Sequence, residues 1–365
     1  MRAADVLVIG AGQAGLSAAH HLVRRGFKHP DKAAPGERTF IMLDAEDGPG
    51  GAWRHRWDSL TMATVNGIHD LPGMPQEEVD PSSTASATLT EYFARFEAAH
   101  ELQIERPVDV SSVRFTDASD PSSELIAAVS TPEGEERIRL RVLVNATGTW
   151  RQPFVPFVPG IETFAGQYVR TVDYRAAEDF AGKRVGIVGG GISAIGFLLE
   201  VAEVAETHWF TRREAEFREG GHNRETLTLA VESVDARVRE GLLPTSVVKA
   251  TGLAWTPALL QAKRRGILER QPMFTRIEPN GVQLADGSLQ ELDVIIWATG
   301  FRQNLDHLAP LRLRGPGGGI RMDPPMVADE PRIYLIGYGP SASTIGANRA
   351  GRAAVRSIGK YLDSI

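Results

Sequence analysis

No cysteine occurs anywhere in the 365 residues. That absence removes disulfide frameworks, zinc–thiolate and iron–sulfur sites, thiol nucleophiles and every Cys-x-x-Cys relay. Long apolar runs are missing too, since none approaches the roughly 18 unbroken residues of a membrane span. Nor is there a basic excess. Lys and Arg total 40 against 46 Asp and Glu, a formal charge of −6, so neither nucleic acid nor anionic membrane is an expected partner. The start, Val6–Ile9 leading into Ala11–Ala19, lacks signal-peptide form because Asp5 precedes it and glycines interrupt it. The chain therefore reads as cytoplasmic. What is present, 42% hydrophobic and 24% charged residues with 37 glycines, describes a globular chain long enough for two cores.

The chain opens as strand, glycine turn and helix. Val6–Ile9 is a short buried strand, and Leu16–Arg25 carries apolar residues at helical spacing. Phe40–Leu43 is a second strand, closed by Asp44, and a loop bearing Gly and Trp runs over 48–57. Thr88 to Glu91 has capping-box form and opens a helix to about His100. Strands are expected at 108–115, 125–130, 137–141 and 142–145, the last running into Ala146-Thr147-Gly148. Prolines 153, 156 and 159 mark a linker. Then the plan repeats: strand 183–188, Gly189-Gly190-Gly191, helix 193–205, and strand 207–211 ending in Arg212-Arg213. Residues 214–270 read as mostly helical and charged. Asn280-Gly281 and Asp286-Gly287 punctuate short strands as hairpin turns do, and Val294–Trp297 leads into a second Ala-Thr-Gly, 298–300. A strand at 333–336, Gly337-Tyr338-Gly339 and a helix over 344–362 complete the chain.

Two copies of one plan predict an α/β fold of two Rossmann-like dinucleotide-binding domains, one inserted in the other. The expected boundaries are 1–158 with 301–365 for the first and 159–300 for the second. Gly10, Gly12 and Gly15 fit G-x-G-x-x-G around Gln13 and Ala14: a tight turn, close approach to pyrophosphate, and close helix packing. Asp44 stands where a carboxylate accepts the hydroxyls of an adenine ribose. It comes later than the usual ~20 residues because the polar stretch 26–39 intervenes. Gly189, Gly191 and Ala194 fit the looser form, with Ser193 as a helix-start hydroxyl near a phosphate. Arg212 and Arg213 stand where the first copy has Asp44. Arginines there bind a 2′-phosphate that an acid would repel, and the alternative is a solvated pair. Together these predict FAD in the first domain and NADPH in the second, with NADH as the alternative, since a nicotinamide passes a hydride to a flavin.

These residues resemble the flavin-containing monooxygenases of the short bacterial type. Gly50-Gly51-Ala52-Trp53, Trp57-Asp58-Ser59-Leu60, Asn145 to Trp150, Ala298 to Arg302 and Gly337-Tyr338-Gly339 carry the resemblance. It implies cofactor contacts at Gly51, Trp53, Val110, Thr147, Gly148, Thr299, Gly300, Gly337 and Tyr338. Trp53 and Trp57 are equally readable as core anchors. One departure stands out. The family fingerprint F-x-G-x-x-x-H-x-x-x-(Y/F) is met by Phe164, Gly166 and Tyr174, but Arg170 replaces the histidine. Tyr174 leans away from the Baeyer–Villiger branch. Arg170, as a phosphate contact, and Asn66, as the asparagine beside the flavin, are the candidate catalytic residues.

The activity implied is NADPH-driven transfer of one oxygen atom from a flavin C4a-(hydro)peroxide to sulfur, amine nitrogen or a ketone. Oxygen and a small molecule would be its substrates. The rival is a reductase or oxidase that passes electrons on without oxygenating anything. A nucleotide-sensing binding protein is the non-enzymatic alternative. No metal site is expected from the histidine spacings, and a homodimer is the base-rate expectation.

Overall fold

A computed structural model of the chain describes residues 1–65, 67–219, 224–245 and 252–365. The fold is mixed α/β and divides into two compact units. Unit 1 comprises Met1–Gly148, Val231–Thr245 and Gln303–Ile365, and unit 2 comprises Thr149–Ala230 and Ser246–Arg302. The chain crosses between the units four times, and all four crossings fall outside the Pro153–Pro159 stretch read as a linker. Phe154 N bonds Gly300 O and Arg302 N bonds Gln152 O, and Val158 packs in the core of unit 2, so this stretch goes with unit 2.

In unit 1, β1 (Arg2–Ile9) lies parallel between β2 (Phe40–Leu43) and β6 (Gly134–Asn145). β1 from Val6 onward and all of β2 are buried, which is why they read as unbroken apolar runs rather than alternating ones. β6 is one strand of 12 residues, where two strands were expected. Its first half alternates exposed and buried residues in a hairpin with β5 (Leu125–Thr131), and its last four are all buried in the parallel sheet. One strand thus carries two patterns. β3 (Ile104–Glu105) and β4 (Asp109–Phe115) complete this part, β3 being too short to show in the sequence. The C-terminal segment returns to the same sheet, because β17 (Glu330–Leu335) pairs parallel with β6.

Helix α1 (Gln13–Arg24) starts earlier than Leu16 because Gly12 serves as its N-cap. Helix α2 (Ala85–Ala99) is capped by Thr84, so Thr88 lies inside it and the capping-box reading fails. Ala85, Ser86 and Ala87 extend the helix toward its N-terminus, Ala being the best helix former.

Unit 2 is built on a five-stranded parallel sheet in the order β12 (Arg270–Pro272), β9 (Glu206–Thr211), β8 (Arg184–Val188), β16 (Val294–Trp297) and β7 (Gln167–Arg170). β7 lies within the fingerprint segment Phe164 to Tyr174. Helix α3 (Ile192–Val201) follows the second glycine turn. Residues 214–270 are less helical than expected. Among the described ones, helix is confined to α4 (Arg224–Arg239) and α5 (Pro257–Arg264), with short strands β10 (Phe217–Arg218) and β11 (Leu253–Ala254) between and beside them. Strands β13 (Arg276–Glu278), β14 (Gly281–Gln283) and β15 (Leu289–Glu291) form an antiparallel meander. Glu278 pairs with Gly281, so the first turn is Pro279-Asn280 and Gly281 already belongs to the strand. The chain ends in α6 (Thr344–Asp363), in unit 1, and among the described residues no helix is long and apolar enough to cross a membrane.

Candidate functional site

The glycine turn of unit 1 joins the carboxyl end of β1 to α1, and each glycine there has its own reason. Gly10 has φ +98°, and a Cβ on it would sit 2.6 Å from Ala146 O. A Cβ on Gly15 would sit 1.8 Å from Gly10 O, so the helix could not pack on the strand. At Gly12 a Cβ would meet nothing within 4 Å. Of the three only Gly12 is unexplained by the protein's own packing, and it caps a helix start, whose first N–H groups lack intrahelical partners. The first turn of α1 has neither an acidic residue nor a side-chain cap. Gly51 closes over this corner, since a Cβ there would lie 2.9 Å from Gly12 Cα.

Gln13 lies in that first turn. Its Nε2 bonds Asn348 Oδ1 at 2.9 Å and His69 O at 3.3 Å, while its buried Oε1 has no hydrogen-bond partner. An orphaned buried acceptor beside an anion-binding helix start suits a ligand that brings a phosphate and a hydroxyl together. Ala14, the next residue, approaches Gly337, whose φ is +82° and whose N–H bonds Ser341 Oγ at 3.1 Å. Beyond it α6 starts, with Ser343 as cap and no acid in its first turn. Two helix N-termini thus belong to one corner of unit 1.

Asp44 follows β2 and is 6% exposed. Its Oδ2 takes Arg106 Nε at 2.9 Å, and Arg106 closes a fork on Glu97 at 2.7 and 2.8 Å. Burial raises the Asp44 carboxyl above the usual range although Arg106 and the Ala11 N–H pull it down. Arg106 was not singled out in the sequence; its place beside Pro107 gave no sign that it would reach back to Asp44. Trp53 packs partly buried on the core with Arg56 5.3 Å above its ring, and burial lowers Arg56 to about 10.

Three implied contacts spend their side chains on the fold. Val110 is packed in the core, and the Tyr338 ring is buried with its hydroxyl accepting from Ile320 N at 3.2 Å. Thr147 donates to Asn304 O at 2.6 Å. For Val110 and Tyr338, only the backbone is left for a ligand. Gly148 has φ +62°. Asn66 lies outside the described residues.

Unit 2 repeats the local plan. Gly189 has φ +142°, and a Cβ on it would lie 2.2 Å from Ala298 O, as Gly10 meets Ala146 in unit 1. Gly191 caps α3 and has open space around it, Ser193 lies in the first turn, and Ala194 is fully buried beneath. Thr299 donates to Phe154 O, and Gly300 has φ +86°. Arg212 and Arg213 are exposed past the end of β9. Thr211 holds the bend: its hydroxyl donates to Arg213 O at 2.5 Å and accepts from Arg270 Nε at 2.7 Å. Arg270 escaped the sequence reading because β12 is three residues long and carries no motif.

Arg170 ends β7 at the carboxyl edge of the sheet, opposite Trp297. Its guanidinium is taken by Asp173 through two bonds of 2.6 and 2.8 Å, which raises the arginine and lowers the acid. Tyr174 is buried, donates to Glu200 Oε2 at 2.9 Å and stacks on Phe197. It is a core residue of unit 2. Among the described residues no group of three His, Asp or Glu could hold a metal ion.

The sequence matches the family described as pyridine nucleotide-disulphide oxidoreductase over residues 4–338. A flavin-containing monooxygenase from Stenotrophomonas maltophilia superposes with a TM-score of 0.80 at 33% identity, covering 99% of this chain and 100% of that one. Indole-3-pyruvate monooxygenase YUCCA1 of Oryza sativa subsp. japonica is 27% identical over 333 residues, 82% of this chain and 77% of the relative. Bacillithiol disulfide reductase of Bacillus cereus, with a TM-score of 0.71 at 15% identity over 99% of this chain and 100% of that one, shares the fold alone.

Proposed function

Because this chain belongs to the flavin-containing monooxygenases within the pyridine nucleotide-disulphide oxidoreductase family, we propose that unit 1 holds FAD, unit 2 holds NADPH, and the enzyme oxygenates a soft nucleophile. The disulphide chemistry in the wider family's name is closed to a chain with no cysteine. The observation that carries the assignment is the contrast between two otherwise matching corners: an acid, Asp44, follows the second strand of one, and Arg212-Arg213 follow that of the other. An acid suits free ribose hydroxyls, and an arginine pair suits a 2′-phosphate.

The chain's own groups would then act as follows. N–H groups at the start of α1 hold the pyrophosphate, with Gly12 keeping the approach open. Gln13 Oε1 accepts from a ligand hydroxyl, and Asp44, steadied by Arg106, takes the ribose. In unit 2 the start of α3 and Ser193 hold the coenzyme's pyrophosphate, and Thr211 fixes the bend that presents Arg212 and Arg213. When bound, the flavin supplies hydride acceptance from NADPH and activation of dioxygen. Sulfides and amines are the first substrates to test. Ketones and 2-oxo acids follow, the latter because the YUCCA relative is named for indole-3-pyruvate.

One observation favours a second reading, electron transfer without oxygenation: Arg170 stands at the fingerprint histidine position and is tied to Asp173. Labelled dioxygen separates the two. With a thioether substrate and NADPH, oxygenation puts one labelled atom in the product. Flavin bleaching by NADPH with no label in any organic product, labelled oxygen leaving only as hydrogen peroxide or staying as dioxygen, supports electron transfer.

A further inference from the structure

The carboxyl end of β6 carries a buried polar chain that the proposed chemistry does not use. His307, in the 3-10 turn Asp306–Leu311, is 8% exposed and places Nε2 2.7 Å from Asn145 Oδ1. Asn145 is the last residue of β6 and is more deeply buried, at 3% exposed. Its Nδ2 donates to Thr147 Oγ1 at 3.0 Å, and the Thr147 hydroxyl in turn donates to Asn304 O at 2.6 Å. Asn304 N then returns to Gly148 O at 3.1 Å. The donors fix the directions. With the Asn145 amide nitrogen spent on Thr147, Oδ1 must accept, so His307 Nε2 carries the proton.

The segment this chain encircles, Asn145–Gly148, forms the wall against the first glycine turn. Ala146 N bonds Ile9 O at 2.8 Å. A Cβ on Gly10 would meet Ala146 O at 2.6 Å, Ala146 C at 2.9 Å and Thr147 Cα at 3.2 Å. A displacement of Asn145 by a few tenths of an ångström would therefore be felt at Gly10, because close-packed backbones transmit strain. Asp109 on β4 and Asp306 in the same turn are the charges that face His307 and favour its protonated form; burial outweighs both.

We propose that His307 is a positioning residue for the dinucleotide turn of unit 1, fixing through Asn145 the Ala146–Thr147 backbone on which Gly10 closes. This rests on the reading of unit 1 as the FAD site. Ala298 makes the equivalent approach to Gly189 in unit 2, where a tryptophan, Trp209, braces the turn instead.

Two amide variants isolate the role. In H307Q the amide nitrogen reaches about as far as histidine Nε2 and can donate to Asn145, whereas in H307N it stops near the position of Nδ1. Both keep a neutral polar group in the site. The holoenzymes are compared at neutral pH by FAD released on serial dilution, read as flavin fluorescence, and by hydrogen exchange of peptides covering 8–16 and 145–149. H307N is expected to weaken FAD binding by about tenfold, the effect of losing one good hydrogen bond. It should speed exchange in those two peptides while leaving 184–201 unchanged. H307Q should restore most of both. Equal loss in the two variants, uniform acceleration along the chain, or no change in H307N would each overturn the proposal. If the wild-type protein holds no FAD, the reading of unit 1 falls and the exchange comparison alone decides the role of His307. Should H307N fail to fold, T147V cuts the next link of the chain and takes its place in the same comparison.

Discussion

The indole nitrogen of Trp209 donates a 2.7 Å hydrogen bond to the carbonyl oxygen of Gly189. The strand that ends in the arginine bend therefore also braces the glycine turn of the neighbouring strand. Trp209 is 2% exposed, and the bond it makes is partly buried.

W209F removes that donor and keeps most of the volume. Losing a partly buried hydrogen bond costs about 0.5–1.5 kcal/mol, so the thermal midpoint should fall. Loosening the turn should raise KM for NADPH several-fold with kcat nearly unchanged, because the turn serves binding. Steady-state kinetics and a melt check this; a fall in kcat at constant KM would speak against it.

Coenzyme choice should sit in Arg212 and Arg213. Replacing both with glutamine is expected to lower kcat/KM for NADPH by about 10- to 100-fold, one or two charge-assisted bonds, while leaving NADH nearly unaffected. R270Q should do the same more weakly, by releasing Thr211 and the bend it holds. The ratio of kcat/KM for the two coenzymes is the readout, and an unchanged ratio in the double variant contradicts the assignment.

Two glycines of one motif should respond differently to alanine. G15A drives a methyl into Gly10 O and should cost folding. G12A meets no protein atom within 4 Å, so the protein should melt as flavin-free wild type does, yet purify with little flavin. Melting curves and flavin absorbance separate the two. Normal flavin content in G12A would show that no phosphate approaches there.

Stability should fall on mild acidification. Burial lowers His20 and His307 to about 4 from the usual 6.5; His100, His21 and Arg24 add to the effect on His20. Both are neutral in the folded chain and protonated in the unfolded chain between those values. Their stabilisation is complete above pH 6.5 and drains away as pH falls toward 4. For His307 the slope is at most about 1.4 kcal/mol per pH unit. Urea unfolding at pH 7, 6 and 5 measures it, and H307Q should flatten the curve.

Much of this was legible because glycine positions are dictated by backbone geometry. Gly10, Gly15 and Gly189 stand where a Cβ cannot, and that requirement is written at the position itself. Buried parallel strands such as Phe40–Leu43 were equally plain, since both faces are apolar. What stayed hidden depends on contacts far along the chain. Arg106 reaching Asp44, Arg270 reaching Thr211 and His307 reaching Asn145 are side chains with no periodic or motif signal. The β6 strand was split in the reading because its environment changes midway. The resemblance named Val110 and Tyr338, but family position says nothing of whether side chain or backbone faces a ligand.

The most direct test of the oxygenating role is stopped-flow absorbance. The flavoprotein is reduced with NADPH in the absence of air and mixed with oxygen but no substrate. Oxygenation predicts a lasting near-ultraviolet species, distinct from oxidised flavin, that vanishes rapidly on adding a sulfide or amine. Direct return to oxidised flavin with one equivalent of hydrogen peroxide, unaltered by any such substrate, would contradict it.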